Sequence, residues 1–228
     1  MTKICCFVPA KKTSRRLPNK NRLLLGGKAL FAHAIDVAKT SALIDEVYFS
    51  SDCSEMLEIA EAAGANSLPR DEQFSDEHTT NFQVLHHHYQ KLMNDGISYD
   101  IIILLQPTSP FRNAEALDRM ISYFMYQAEL TSLVTVRSID RPVGLIDGKI
   151  WRKQTQKHHS SNGLQFSEFS GHVVMFRPSS EFFANPLSGE GVGAYELPSE
   201  WPDIDIDNPS DFSKAQEFLE LNPLFFAD

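Results

Sequence analysis

Ile101-Ile102-Ile103-Leu104-Leu105 runs directly into Gln106-Pro107-Thr108-Ser109-Pro110, and this junction decides the fold. A half-exposed strand alternates apolar and polar side chains, because successive residues point to opposite faces. An unbroken apolar run therefore predicts a strand covered on both faces, at the centre of a parallel sheet. Two prolines then fix the backbone of the loop that leaves it. On either side of this strand the chain alternates short apolar or β-branched runs with helical patterns, the signature of βα units. Strands are expected over 4–8 and 46–50, followed by helices over 29–40 and 55–63, the latter stopped at Gly64. A helix over 82–93 precedes the central strand. A helix over 114–127, strands over 132–136 and 172–176, strands near Tyr195 and Ile204, and a last helix over 210–221 follow it.

The stretch 138–170 differs in character. It carries Asp147-Gly148, a hairpin turn signal, together with many Gln, Ser and His residues and little helical period. It reads as an arm inserted in a core formed by 1–137 and 171–228. A length of 228 residues suits one substantial α/β domain with such an appendage.

The formal net charge is −9, which argues against a nucleic-acid partner, because phosphate-backbone binding needs a broad basic surface. The charge is unevenly placed. Eight cations, Lys3, Lys11, Lys12, Arg15, Arg16, Lys20, Arg22 and Lys28, precede the first acid, Asp36. An acidic protein thus opens with a cationic segment suited to a small polyanion. Cys5, Cys6 and Cys53 form an odd set without metal spacing, which fits buried packing in a reducing compartment. The apolar run at the N-terminus is too short for a membrane anchor and runs into charges, so the expectation is a cytoplasmic protein without membrane association.

Three segments carry chemistry. The basic loop Pro9-Ala10-Lys11-Lys12-Thr13-Ser14-Arg15-Arg16-Leu17-Pro18-Asn19-Lys20-Asn21 follows a predicted parallel strand, and ligands of open α/β sheets bind outside such carboxyl ends. It lacks both G-x-x-x-x-G-K-[ST] and G-x-G-x-x-G, so a triphosphate there would be met by cations and backbone N–H groups rather than a standard phosphate loop. A merely solvated basic loop is the plainer alternative. In the loop 106–112, Gln106, Thr108 and Ser109 offer amide and hydroxyl groups for reading a base or sugar, or for capping the next helix. Arg112 fits an ordinary surface residue equally well. Asp203-Ile204-Asp205-Ile206-Asp207 places alternate carboxylates on one face of an expected strand. They repel unless a cation binds, and Mg²⁺ commonly takes one or two carboxylates plus waters and substrate phosphates. Asp203 can equally be solvated. Asn208-Pro209-Ser210-Asp211 reads as a helix start, with Asn208 as cap, which makes Asp211 a helix-start acid rather than a ligand.

The histidines have plain readings. His86, His87 and His88 are consecutive on a predicted helix, so their side chains diverge by about 100° each and cannot share one metal. His158 and His159 lie in the arm, facing solvent, substrate or a second subunit. Phe182-Phe183 lines a sugar pocket or packs in the core.

Together these residues resemble the acylneuraminate cytidylyltransferases. The basic loop is similar to their P-A-R-x-x-S-K/R-x-x-P-x-K-N signature, 105–112 to L-Q-P-T-S-P-x-R, and Asp205-Ile206-Asp207 to a terminal D-I-D. Arg70 and the segment from Ser75-Asp76 to Thr80 match further stations in the same order, so the resemblance spans nearly the whole chain. It implies a three-layer, Rossmann-like nucleotidyltransferase with a mainly parallel sheet and a small dimerisation arm, acting as a homodimer. It also implies activation of a nonulosonic acid, an acidic α-keto sugar, by CTP with release of pyrophosphate. By resemblance, Lys11, Ser14, Arg15, Lys20 and Asn21 bind nucleotide, with Lys20 on phosphate. Arg70 and Thr80 contact the cytidine portion, and Thr108 and Ser109 line the site. Gln106 faces the sugar. Asp205 and Asp207 hold Mg²⁺, which makes Lys20, Asp205 and Asp207 the catalytic set.

The chain departs from the pattern at Lys11, where the family usually has Arg, at Arg16, where Gly or another Arg is common, and at Glu168, where sialic acid enzymes carry an Arg-containing R-P-N-G. The last departure leaves open a pseudaminic, legionaminic or 3-deoxy-octulosonate-type sugar. A catalytically silent CTP-binding regulatory protein is the reading from another class.

Overall fold

The structure is a computed structural model, and it describes residues 1–76, 78–139, 144–147, 150–153 and 167–226. Its main sheet has seven strands. In chain order these are β1 (Ile4–Pro9), β4 (Glu46–Ser51), β5 (Asn66–Pro69), β6 (Ile101–Leu104), β7 (Ser132–Ser138), β10 (Ser167–Phe176) and β11 (Val192–Glu196). Two small hairpins stand apart from it: β2 (Leu24–Leu25) with β3 (Lys28–Ala29), and β8 (Gly144–Asp147) with β9 (Ile150–Lys153). The strand order is β11-β7-β10-β6-β1-β4-β5, with β10 alone antiparallel to its neighbours.

The apolar run at 101–105 sits in the middle of that order because both of its faces are covered. Ile101, Ile103 and Leu105 enter one core with Ile4, Cys6 and Val8 of β1. Helices α1 (Leu30–Thr40), α2 (Ser54–Ala62) and α4 (Ala114–Tyr126) close that core. Ile102 and Leu104 enter the opposite core with Cys5 and Phe7, beneath α3 (Asn81–Asn94) and α5 (Ser180–Ala184). Three layers result from two adjacent strands that have no polar face to offer water. All three cysteines are buried and free.

Helix ends follow local chemistry. Asn113 caps α4 through the Ala116 N–H. Asn208 and Asp211 form a reciprocal capping box at the start of α6 (Pro209–Leu221), with Pro209 in the first turn. Gly26 and Gly27, both at positive φ, turn the β2–β3 hairpin.

Two expectations are corrected. Residues 203–207 form no strand: their only backbone tie to the β6 loop is Ile206 N–H to the Thr108 carbonyl at 2.7 Å. The alternation is nevertheless real. Ile206 is buried and Ile204 half-buried in a third apolar cluster with Phe111, Phe218 and Phe225. Secondly, β10 begins at Ser167, four residues before the expected return at 171, and Ser167 to Phe169 pair with β7 beyond a register break at 169–174. Gly148, within the predicted Asp147-Gly148 turn, and His158 and His159 lie outside the described residues. The backbones on either side of Gly148 pair antiparallel, Asp147 opposite Ile150.

Candidate active site

After β1 the chain crosses to β4 and β5 on one side, and it later returns to β6 on the other side of β1. The carboxyl ends of β1 and β6 therefore flank a topological switch point, where open α/β sheets form their ligand crevice. Four segments converge there around an open cleft of about 690 Å³: the basic loop after β1, the loop after β6, the stretch 71–81 and the stretch 203–207. That volume suits a ligand of nucleotide size.

The basic loop is held through its own backbone N–H and carbonyl groups, which leaves Lys11, Arg15, Arg16 and Lys20 to line the cleft. The Asn21 amide donates to the Lys11 carbonyl at 2.8 Å. Asn19 takes a left-handed conformation, tolerated by its short polar side chain, and the turn at Lys20–Arg22 closes with Leu23 N–H to the Lys20 carbonyl. The Lys12 N–H donates to Asp52 at 2.6 Å, tying the loop to the end of β4. Lys11, Ser14, Arg15, Arg16, Lys20 and Asn21 all line the cleft.

Opposite them stand Asp205 and Asp207. Asp207 accepts from Lys20 at 2.7 Å and from Arg16 at 2.6 Å. Burial alone would raise its carboxyl, but Lys20 and then Arg16 outweigh that and hold it below the usual carboxylate range. Asp205 receives a long hydrogen bond, 3.5 Å, from the buried Ser109 hydroxyl. Asp203 takes no part; it pairs with Arg137 at 2.9 Å. Asp211 is spent on the N–H groups of Asp207 and Asn208. The triad of aspartates thus divides into two that face the cations and one that does not.

No group of three or more His, Cys, Asp or Glu side chains able to hold a metal occurs among the described residues. Two carboxylates on one wall of a phosphate-sized cleft still fit Mg²⁺, which keeps waters and completes its shell with substrate oxygens. Softer metals that require nitrogen or sulfur donors do not fit.

On the remaining wall, the Gln106 amide is clamped at both ends. Asn81 donates to its oxygen at 3.1 Å, and its nitrogen donates to the Gly171 carbonyl at 3.3 Å. Thr108 lines the cleft beside it.

The structure thus brings Lys11, Ser14, Arg15, Lys20, Asn21, Gln106, Thr108, Asp205 and Asp207 together, and it sets five predicted site residues elsewhere. Ser109 lies beneath the wall, behind Asp205. Thr80 caps α3, accepting from the Gln83 N–H while the Gln83 side chain returns to the Thr80 N–H. Phe182 stacks on Phe176 at 3.8 Å and Phe183 on His86 at 4.3 Å, so both pack within the second core rather than line the cleft. Arg70 is buried at the end of β5 outside the cleft lining. Its three guanidinium nitrogens have no hydrogen-bond partner among the described residues, and burial lowers its pKa, partly offset by Asp52.

The structure adds Thr13, Arg16, Ser75, Asp76 and Asn81 to the lining. The Asp76 carbonyl accepts from the Lys11 ammonium, which ties Asp76 to the basic loop. Asn81 was findable: Thr80-Asn81-Phe82-Gln83 is a capping-box pattern, which makes Thr80 the cap and Asn81 the first helical residue.

The consecutive histidines have three separate surroundings. His86 stacks on Phe183, His87 pairs with Asp71 at 2.7 Å, and His88 bonds the buried Ser50 hydroxyl at 2.9 Å.

A family model described as Cytidylyltransferase matches residues 5–227. CMP-N,N'-diacetyllegionaminic acid synthase of Legionella pneumophila is 27% identical over 96% of this chain and 97% of its own. N-acylneuraminate cytidylyltransferase of Escherichia coli is 30% identical over 94% of this chain, which spans 51% of that longer protein. Among solved structures, a CMP:2-keto-3-deoxy-manno-octonic acid synthetase complexed with CTP superposes with a TM-score of 0.71, at 15% identity, over 97% of this chain and all of the other; that likeness establishes the fold.

Proposed function

The chain belongs to the cytidylyltransferase family, and from that premise we propose that it couples CTP to a nonulosonic acid, giving the CMP-sugar and pyrophosphate. The observation that carries this reading is the placement of Lys11, Arg16 and Lys20 against Asp205 and Asp207 in one cleft at the switch point. Similarity to enzymes named for legionaminic and N-acylneuraminic acids supports the sugar class.

In this reading the basic loop receives the triphosphate. Lys20 and Arg16 now rest on Asp207, and a bound triphosphate offers them a stronger anionic partner at the same place. An anomeric hydroxyl oxygen of the sugar bonds to the α-phosphorus and gives up its proton to solvent. The bond from that phosphorus to the β-phosphate oxygen breaks, and pyrophosphate leaves with the electron pair, its charge met by the loop cations. Such transfers depend on positioning and charge neutralisation more than on covalent help. Asp205 and Asp207 would hold Mg²⁺, which when bound neutralises phosphate charge. No histidine lines the cleft among the described residues, and we assign no general base. Gln106 offers the sugar its amide. Arg70, whose buried donors lack partners, is assigned to the cytidine portion; Thr80, used as a helix cap, is assigned no contact.

The 138–170 stretch, of which β8 and β9 pair only with each other in a separate sheet, is assigned to homodimerisation. A monomer in sedimentation at micromolar concentration contradicts that assignment. Three free buried cysteines suit the cytoplasm, and no helix of the described residues is long and apolar enough to cross a membrane.

The direct test is pyrophosphate release with CTP and a panel of legionaminic, pseudaminic, N-acetylneuraminic and 3-deoxy-octulosonic acids. The expected result is release dependent on CTP and on one of the nine-carbon acids. CTP binding with no release from any acid overturns the reading in favour of a silent nucleotide-binding protein.

A further inference from the structure

Arg112, for which an ordinary surface position was an equal alternative, is 2% exposed. A buried guanidinium normally finds a carboxylate, because an uncompensated charge in the interior is costly. This one has no ion pair among the described residues. Its Nε donates to the His172 carbonyl at 2.7 Å and its Nη2 to the Gln106 carbonyl at 2.9 Å, while its Nη1 is buried without a partner. Burial pushes its pKa down to about 9, against the raising influence of Cys6 and Asp205. An apolar side chain of similar length would fill the volume without that cost, so the charge is kept for what it bonds.

Both carbonyls belong to the wall that carries Gln106. The register of β10 against β7 breaks between Phe169 and Val174, and Gly171 sits there at φ +72°. The break turns three consecutive carbonyls out of regular strand pairing, and side chains collect them: Gly171 bonds Gln106, His172 bonds Arg112, and Val173 bonds the Thr135 hydroxyl. Arg112 thus pins the backbone of Gln106 to the residue following the one that its side chain grips. Asn81 holds the far end of the same amide. With one Nε2 hydrogen given to Gly171, the second is left for an oxygen acceptor.

We propose that Arg112 is a positioning residue for the acid-sugar half of the cleft: by joining the carbonyls of Gln106 and His172 it sets the spacing at which the Gln106 amide meets a substrate oxygen. This rests on the reading of Gln106 as the sugar-facing group. The nucleotide half, built on the basic loop, has no hydrogen bond to Arg112 among the described residues.

The test compares Arg112→Met and Arg112→Lys with wild type in the full chain. Melting temperature, kcat, KM for CTP and KM for the accepted acid are measured for each. Arg112→Met is expected to raise KM for the acid about tenfold or more, the worth of a charge-assisted hydrogen bond, with KM for CTP within about twofold. Arg112→Lys should fall between, since an ammonium can keep one carbonyl but not the fork. Equal rises in both KM values, or a lowered melting temperature with neither KM changed, overturns the assignment. Should Arg112→Met fail to fold, Arg112→Lys decides alone: a rise confined to the acid upholds the proposal and an unselective one overturns it. A wild-type protein inactive with every acid sinks the parent reading, and this inference with it; an active wild type with an unselective Arg112→Lys sinks this inference alone.

Discussion

The loops after β1 and β6 leave the same edge of the sheet on adjacent parallel strands, yet they use positive charge in opposite ways. In the first, the Arg16 side chain is 69% exposed and shares Asp207 with Lys20, so its partners can be exchanged for a ligand. In the second, the one cation is buried and bound to main-chain carbonyls, which no ligand displaces. Charge intended for substrate rests on a carboxylate that a ligand can replace, whereas charge intended for architecture is buried at a cost and satisfied by groups that never leave. The two loops therefore divide the cleft into a half that responds to its ligand and a half that is set in advance.

The comparison is most sharply broken at Lys20. Replacing it with Met removes a phosphate partner from the responsive half, and a loss of about 10²-fold in kcat/KM is expected, carried by CTP rather than by the acid. A loss falling on the acid alone would contradict the division.

A smaller effect should appear as a pH dependence of stability, from His172 on the pre-set side and from His88 of α3, which bonds Ser50 of β4. Burial pushes His88 down to about 4, and it pushes His172, with Arg112 adding repulsion, down to about 3. Both are neutral when folded, while the unfolded chain binds protons below about 6.5. Stability is therefore present above that pH and is lost as pH falls from it toward the folded values. The melting temperature should drop by roughly 5 °C between pH 6.5 and 5, with a shallower slope for His88→Asn. Identical slopes would remove His88 from the account.

Smaller still is the expected consequence of Thr80→Ala. Losing the α3 cap should cost about 1 kcal/mol of stability and leave KM for CTP within about twofold. A tenfold rise in that KM without loss of stability would return Thr80 to the nucleotide.

Much of this was legible in the sequence, for reasons that vary by residue. The apolar 101–105 run gave the sheet its centre because covering both faces is the only use for such a strand. Asn208-Pro209 and Asp211 announced their helix because capping is local chemistry. The alternation at 203–207 put all three aspartates on one face of a strand, but alternation reports which way side chains point, not whether a neighbouring strand exists; Asp205 and Asp207 line the cleft while Asp203 pairs with Arg137. What holds 203–207 is tertiary: one backbone bond to Thr108, two isoleucines on the Phe111 cluster, and the ion pairs of Asp203 with Arg137 and of Asp207 with Lys20 and Arg16. Phe182 and Phe183 were ambiguous for the same reason, since Phe82 and His86, distant in sequence, join Phe176 in deciding their burial. Arg112 carried no local signal, because the carbonyl it bonds at His172 is exposed to it only by a register break sixty residues away.

The central claim is that Asp207 and the cations of the basic loop form one reaction centre with CTP. The measurement that tests it most directly is Mg²⁺-dependent pyrophosphate release by wild type, Asp207→Asn and Asp203→Asn, each with its melting temperature. Asp207→Asn should lose about 10²-fold or more in turnover with little change in melting, while Asp203→Asn, paired to Arg137 away from the cleft, should turn over like wild type. Wild-type turnover by Asp207→Asn would contradict the account.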